Sequence, residues 1–517
     1  MKPKYILIFI LFVFTILLLL AFIFPKNGLK ITDDITVQFP TIDELLNIEK
    51  VKIVDISEII EKNQVAENDY NEEEGKLKSV MTKDAGIIYY EDKDINYEQV
   101  SRRLEFPKGN RNALKHFFEE LTNLKSNNKL IRILHYGDSQ IEADRMTSYI
   151  RYKLQSQFGG SGPGLIPAVQ PFGFESPVKT ELSENWKRYP GFGLRDSTVN
   201  HSRYGILASF SRYAPIAEKI IIDSLSANKD TSEFRNINYS AWLKIEHSPY
   251  SFSNVKRYSQ CRMFYGYNSK PIDLKLFTGE NLFSSEILSP ANYLQVKGWR
   301  FNSTPSYLKM EFKGSDSPDI YALALDGLSG VAVDNIALRG SSGTIFTTTS
   351  TKLLASIYRN LNVKLVILQF GGNITPYIKE DYTFYEKSFY SQLVTIKKLI
   401  PDVSIIVIGL ADMSKKEKDK YVSYPNIEII RDALKKASFK ADCAFWDMYE
   451  AMGGNNSMPS WVFSEPPLAE KDFTHFTVQG SRIIAQMFYK ALMLEYNNFK
   501  KSNTKKEDII VENISGD

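Results

Sequence analysis

The segment ILHYGDSQIEADRM, Ile133 to Met146, sets a serine after an aspartate where an apolar run gives way to a polar one. A serine hydroxyl becomes a nucleophile when a base lies within hydrogen-bond reach and a third group orients that base. The same residue types have a plainer use, because Ser and Asp cap helices by accepting orphan backbone N–H groups. Ser139 can therefore be read both ways, and the rest of the chain decides. Of the five histidines, His116 falls on a predicted helix and His135 inside a predicted strand, while His201 and His247 lie in a region of strand-like alternation. His475, in KDFTHFTVQG (Lys471 to Gly480), stands on a turn before the last predicted helix, with Asp472 in the same turn. A single turn can present both side chains, as a base and the carboxylate that orients it.

Acyl transfer also needs donors for the developing oxyanion, each worth about 3–4 kcal/mol of barrier. ALRGSSG (Ala337 to Gly343) offers the Gly340 backbone N–H, and LQFGGNIT (Leu368 to Thr375) offers the Asn373 amide. Each is also an ordinary Gly/Asn turn after a strand. In a parallel sheet, however, such turns gather at the carboxyl edge, where ligands bind.

The elements that must position these residues alternate. Ile131–Tyr136, Val363–Phe370, Val403–Leu410 and Cys443–Met448 read as buried strands. Asn112–Lys125, Ile141–Phe158, Phe384–Ile400 and Val478–Tyr496 have helical periodicity. Strands alternating with helices predict an α/β fold, a parallel sheet with helices on both faces. The texture changes between Gly164 and Leu328: YLKMEFK (Tyr307 to Lys313) and IDLKLF (Ile272 to Phe277) alternate apolar with charged residues. That pattern predicts an inserted antiparallel β-sandwich of roughly 150 residues. Its aromatics, Trp242, Tyr250 and Tyr265 among them, are candidates for stacking on sugar rings. The turn FGGSGPGL (Phe158 to Leu165) lacks the Gly-Lys-Ser/Thr of a phosphate loop and reads as a chain reversal.

Tyr5 to Phe24 carries no charge and is about one hydrocarbon thickness long as a helix. Lys2 and Lys4 precede it, so the positive-inside rule predicts a single-pass anchor in the inner membrane, the rest of the chain lying on the periplasmic side. A cleaved signal peptide is the rival reading, although its apolar core is usually shorter and ends in an A-x-A-like site. The expected division is 1–30 as anchor, 31–105 as a largely disordered linker, 166–324 as the insertion and 499–517 as a polar tail. The net charge of +3, without a basic stripe, argues against a nucleic-acid partner. Cys261 and Cys443 could form one bridge or stay as buried thiols, and no CxxC or HExxH spacing predicts a metal site.

Gly-Asp-Ser at 137–139, then Gly340, then Asn373, then Asp472-x-x-His475 resembles the block order of the SGNH hydrolases, the GDSL-type esterases. The resemblance covers about 110–175 and 325–498, and the implied hydrolase domain spans 106–165 and 325–498. It implies a flavodoxin-like three-layer fold with Ser139 as nucleophile, His475 as base and Asp472 orienting it. The backbone N–H groups of Ser139 and Gly340, with the Asn373 amide, would form the oxyanion hole, and no metal or organic cofactor is implied. Two departures stand out: Gln140 replaces the family's leucine, and Ile374 follows Asn373 where an aspartate is common. The long insertion, with FWDMYEAMGG (Phe445 to Gly454), resembles bacterial envelope SGNH proteins of the peptidoglycan or polysaccharide O-acetyl esterase type. An acylated glycan is the implied substrate, and a membrane-bound acyltransferase is a further candidate partner that no motif specifies. Two alternatives remain: a polysaccharide O-acetyltransferase using the same triad, and a glycan-binding scaffold with a vestigial one.

Overall fold

Five strands form one parallel sheet: β1 (Leu130–Gly137), β2 (Gly330–Ala337), β3 (Val363–Gln369), β4 (Ser404–Ile408) and β5 (Ala444–Trp446). Their spatial order is β2-β1-β3-β4-β5. This is the flavodoxin-like order, with its switch point where β1 lies between β2 and β3. The computed structural model describes residues 3–25, 29–30, 36–37, 39, 54–63, 97–173, 177–216, 237–418 and 420–514.

Strand alternation sends successive side chains to opposite faces. Leu134, Tyr136, Val366, Leu368, Ile405 and Val407 join one core with α4 (Thr351–Leu361), α5 (Thr383–Leu399) and α6 (Ile427–Lys440). Their neighbours Ile133, Leu365, Ile367, Ile406 and Ile408 are buried on the opposite face, the side of α2 (Lys115–Thr122), α3 (Arg145–Phe158) and α7 (Val478–Ile514). The helices follow from sequence in the usual way. In α4, Leu353, Leu354, Ile357, Tyr358 and Leu361 make one buried stripe, Ser350 caps the start and Asn362 ends the helix at φ 54°.

Between α3 and β2 the chain builds two antiparallel sheets. One runs Ala291–Arg300, Gln260–Asn268, Asp319–Asp326, Ser209–Arg212 and Lys187–Pro190, with Gly164–Ile166 beside Asp319–Asp326. The other runs Asn281–Leu288, Ile272–Thr278, Tyr307–Gly314, Tyr239–His247 and Val178–Leu182. They share a core that includes Leu243, Met263, Leu274, Met310 and Leu323. A buried ion cluster ties these sheets to the parallel one: Arg132 of β1 bonds Asp334 of β2 at 2.6 Å and Asp326 at 2.5 Å, and Arg262 reaches Asp326 at 3.3 Å. Removing one member would leave a buried charge uncompensated, at a cost of about 3–5 kcal/mol. The glycine-rich turn does more than reverse the chain. A Cβ on Gly160, at φ 109°, would lie 2.3 Å from the Val331 carbonyl oxygen, so only glycine allows the turn to pack on β2.

Several boundaries differ from the sequence reading. Within 31–105, Leu104–Glu105 pairs antiparallel with β5, and Asn63 donates to Ser101 at 2.9 Å. Lys490 of α7 donates to the Lys62 carbonyl at 2.5 Å, so Ser57–Lys62 is a helix seated on α7. Residues 40–53 and 64–96 of that stretch lie outside the described residues. The α3 helix starts at Arg145 rather than Ile141, and the polar tail from 499 is helical to Ile514, in keeping with a run free of Gly and Pro. Cys261 and Cys443 are separate buried thiols, with burial pushing Cys443 up to about 12. At the N-terminus, α1 (Pro3–Ile23) contains a 20-residue stretch, Lys4–Ile23, long and apolar enough to cross a membrane.

Candidate active site

The turn after β1 is held from both sides. Asp138 N–H donates to the Gln369 carbonyl of β3 at 3.1 Å, and Leu338 N–H, just past β2, donates to the Gly137 carbonyl at 2.7 Å. A Cβ on Gly137 would fall 2.9 Å from Ile141 Cδ1 and 3.1 Å from the Gln369 oxygen, so the strand exit is too narrow for a side chain. Capping falls to Asp138, whose carboxylate accepts from Gln140 N–H at 3.0 Å. That leaves the Ser139 hydroxyl free for another partner, and the side chain is partly exposed.

Its partner is His475. Ser139 Oγ lies 2.8 Å from His475 Nε2, and His475 Nδ1 lies 2.7 Å from Asp472 Oδ2. Burial opposes charge on Asp472, but the His475 ring and the backbone N–H groups of His475 and Thr474 outweigh it, holding the carboxyl down at about 2. An ionised Asp472 fixes the proton on Nδ1, leaving the Nε2 lone pair to accept from Ser139. The histidine turn is anchored independently: Glu470 N–H donates to the His475 carbonyl at 2.8 Å, and Phe476 is wholly buried beside Trp461. Phe473, at φ 56°, stacks on Tyr421 with ring centroids 3.6 Å apart.

Gly340 and Asn373 follow β2 and β3 at the same edge of the sheet. The Asn373 Nδ2 donates to the Ser341 carbonyl at 3.0 Å, which couples the two loops directly. Gly340 is exposed at φ 80° with open space around it. Asp138 also joins this edge, since it accepts from Gly372 N–H as well as Gln140 N–H. Burial pushes its carboxyl up to about 6, against the opposing pull of those donors and His475.

Gln140, one of the two departures from the family pattern, bridges two turns. Its side-chain amide donates to the Thr474 carbonyl at 2.5 Å, joining the serine turn to the histidine turn. No spacing rule would have found it. The remaining histidines lie apart from Ser139: His135 is fully buried between Gln369 and Thr147 and pushed down to about 4 by burial, so it stays neutral. Among the three aromatics singled out for sugar stacking, Tyr265 is core at 6% exposure, which removes it as a candidate. Trp242 is half-buried on the outer face of the second antiparallel sheet, and Tyr250 is exposed. Among the described residues, no group of three His, Cys, Asp or Glu side chains is arranged to hold a metal ion.

No family model and no curated protein matches the sequence. Among solved structures, a peptidoglycan O-acetylesterase aligns with 76% of this chain and 99% of its own, at 18% identity and a TM-score of 0.58. An acetylxylan esterase from Geobacillus stearothermophilus aligns with 32% of this chain and 75% of its own, at 19% identity and a TM-score of 0.25. A GDSL-like lipase from Parabacteroides merdae aligns with 32% and 74%, at 13% identity and a TM-score of 0.23. The two low scores add no weight, and the likeness rests on the first structure and on the strand order. The chain shares its fold with that peptidoglycan O-acetylesterase.

Proposed function

We propose that this protein is a serine ester hydrolase that removes O-acyl groups, chiefly acetyl, from a cell-envelope polysaccharide such as peptidoglycan. The observation that carries the reading is the unbroken relay Ser139 Oγ–His475 Nε2 (2.8 Å), His475 Nδ1–Asp472 Oδ2 (2.7 Å). Ser139 attacks the ester carbonyl while His475 takes its proton. The tetrahedral oxyanion is received by the backbone N–H groups of Ser139 and Gly340 and by the Asn373 amide. Collapse breaks the acyl–oxygen bond, and the departing sugar oxygen takes the proton from His475 to leave as the hydroxyl. Water then gives a proton to His475 as it attacks the acyl-enzyme, and Ser139 leaves with that proton as the carboxylic acid is released.

Hydrolysis is favoured over transfer to a sugar acceptor by the openness of the base. The side chains of His475 and Asp472 are 27% and 50% exposed, so water has direct access to the relay. An intact relay argues against a vestigial scaffold. In this reading α1 is a membrane anchor, the folded region stands on the periplasmic side, and the antiparallel sheets between α3 and β2 recruit glycan. The acetyl substrate draws on the fold shared with a peptidoglycan O-acetylesterase. The test is acetate release from O-acetylated peptidoglycan and from acetylated xylan, with and without added sugar acceptors. Release into water on the envelope polymer supports the reading; acetyl transfer to the acceptor without net release would replace it with the transferase.

A further inference from the structure

A cavity of about 70 Å3 lies between the two halves of the molecule's folded unit. One wall is Glu142 and Ala143, which follow the nucleophile turn, and another is Asn335–Ala337, the end of β2 that leads to Gly340. The opposite wall comes from the inserted sheets and their entry loop, with Gln170, Phe172 and Arg188. The space suits a carboxyl group or two to three waters, and is too small for a whole sugar ring.

The polar groups that meet there are incompletely satisfied. Arg188 Nε donates to Ser209 Oγ at 3.1 Å, but among the described residues the guanidinium has no carboxylate within ion-pair distance. The Gln170 Nε2 and Glu142 Oε1 atoms are buried without a hydrogen-bond partner. Glu142 is offset by Arg339, 3.7 Å away, whose guanidinium lies over the Phe172 ring at 4.9 Å from its centroid. The uncompensated charge is therefore that of Arg188. An arginine held mostly out of water without an anion is costly unless a ligand supplies one. Its free fork matches a carboxylate, Gln170 adds a second donor, and Glu142 can accept from a hydroxyl.

We infer that this cavity is a subsite for the carboxylate of an acidic sugar, with Arg188 and Gln170 gripping the carboxylate and Glu142 accepting from a neighbouring hydroxyl. The inference rests on the esterase reading only for its meaning. It would bias the enzyme toward acyl groups carried on, or next to, an acidic residue of the polymer. The carboxylate could belong to a uronic acid ring or to a lactyl ether on an amino sugar, and the chemistry at Arg188 is the same.

The test measures binding directly. NMR titration of the full-length protein in detergent compares glucuronic acid with glucose, and N-acetylmuramic acid with N-acetylglucosamine. The acidic member of one pair is expected to bind about tenfold or more tightly, as charge-assisted hydrogen bonds allow. The pair that shows it identifies the source of the carboxylate. Arg188→Gln should erase the preference, while Arg188→Lys, which keeps the charge and loses the fork, should reduce it. Should Arg188→Gln fail to fold, Arg188→Lys and the loss of preference with added salt decide. Equal binding within both pairs overturns the inference, as does a preference undiminished in the Arg188 variant that folds. Absence of ester hydrolysis would leave this binding result standing, and equal binding would leave hydrolysis standing.

Discussion

Gln140 is bonded through its side-chain amide to the carbonyl of Thr474, so the residue after Ser139 holds the residue before His475. The family leucine could not make this bond. Gln140→Leu should lower kcat on a small acetyl ester by about tenfold with KM little changed, as expected when one neutral hydrogen bond worth about 1 kcal/mol keeps the Ser139 and His475 turns in register. Steady-state kinetics on p-nitrophenyl acetate check this. An unchanged kcat would mean that the two turns hold their spacing without Gln140.

Asn373 is tethered to the Ser341 carbonyl, and in the proposed mechanism it is also a donor to the oxyanion. Asn373→Ala should lower kcat by about 10²–10³-fold on small esters and on polymer alike. A loss confined to KM on the polymer would instead make Asn373 a glycan contact.

Asp138 gives a pH signature. Its carboxyl is pushed up to about 6 in the folded protein by burial, against 3.8 ordinarily. Between those values the folded state holds a proton that the unfolded chain releases, so rising pH favours unfolding across that window. Asp138→Asn lacks the titration. The stability of the wild type relative to the variant should fall by something on the order of 3 kcal/mol from pH 4 to pH 7, most of it before pH 6. Denaturant unfolding of both proteins across that range is the check. A difference that stays constant or grows with pH would contradict the buried, protonated Asp138.

The placement of the candidate residues was legible because each stands where a strand or turn ends: Ser139, Gly340 and Asn373 after three strands, and His475 on a turn with Asp472. Parallel order was legible from the alternation of apolar runs with helical segments. What escaped depends on tertiary context. Gly, Asp and Ser do not announce that Ala143 and Asp144 take left-handed backbone, φ 57° and 62°, with Asp144 then clamped by Arg151 at 2.6 Å. The two-residue strand Leu104–Glu105 is too short to carry a period. Tyr265 reads as a surface aromatic because alternation assumes one wet face. The strand Gln260–Asn268 is covered on both, with Phe264 in the parallel-sheet core and Met263 and Tyr265 in the other.

If α1 anchors the protein, the full-length chain should stay with carbonate-washed membranes and retain its first residues. Protease added to the outer face should then reach the folded region. A soluble form that begins after residue 24 would contradict the anchor and favour a cleaved leader.

The central claim is that Ser139, activated by His475, forms an acyl-enzyme. The most direct measurement is mass spectrometry of the protein quenched in acid during turnover of an acetyl ester, followed by peptide mapping. One acetyl group is expected on the peptide containing Ser139, with no adduct in Ser139→Ala and little in His475→Ala. Ester turnover retained in Ser139→Ala, or an acetyl group carried on a different residue, would contradict it.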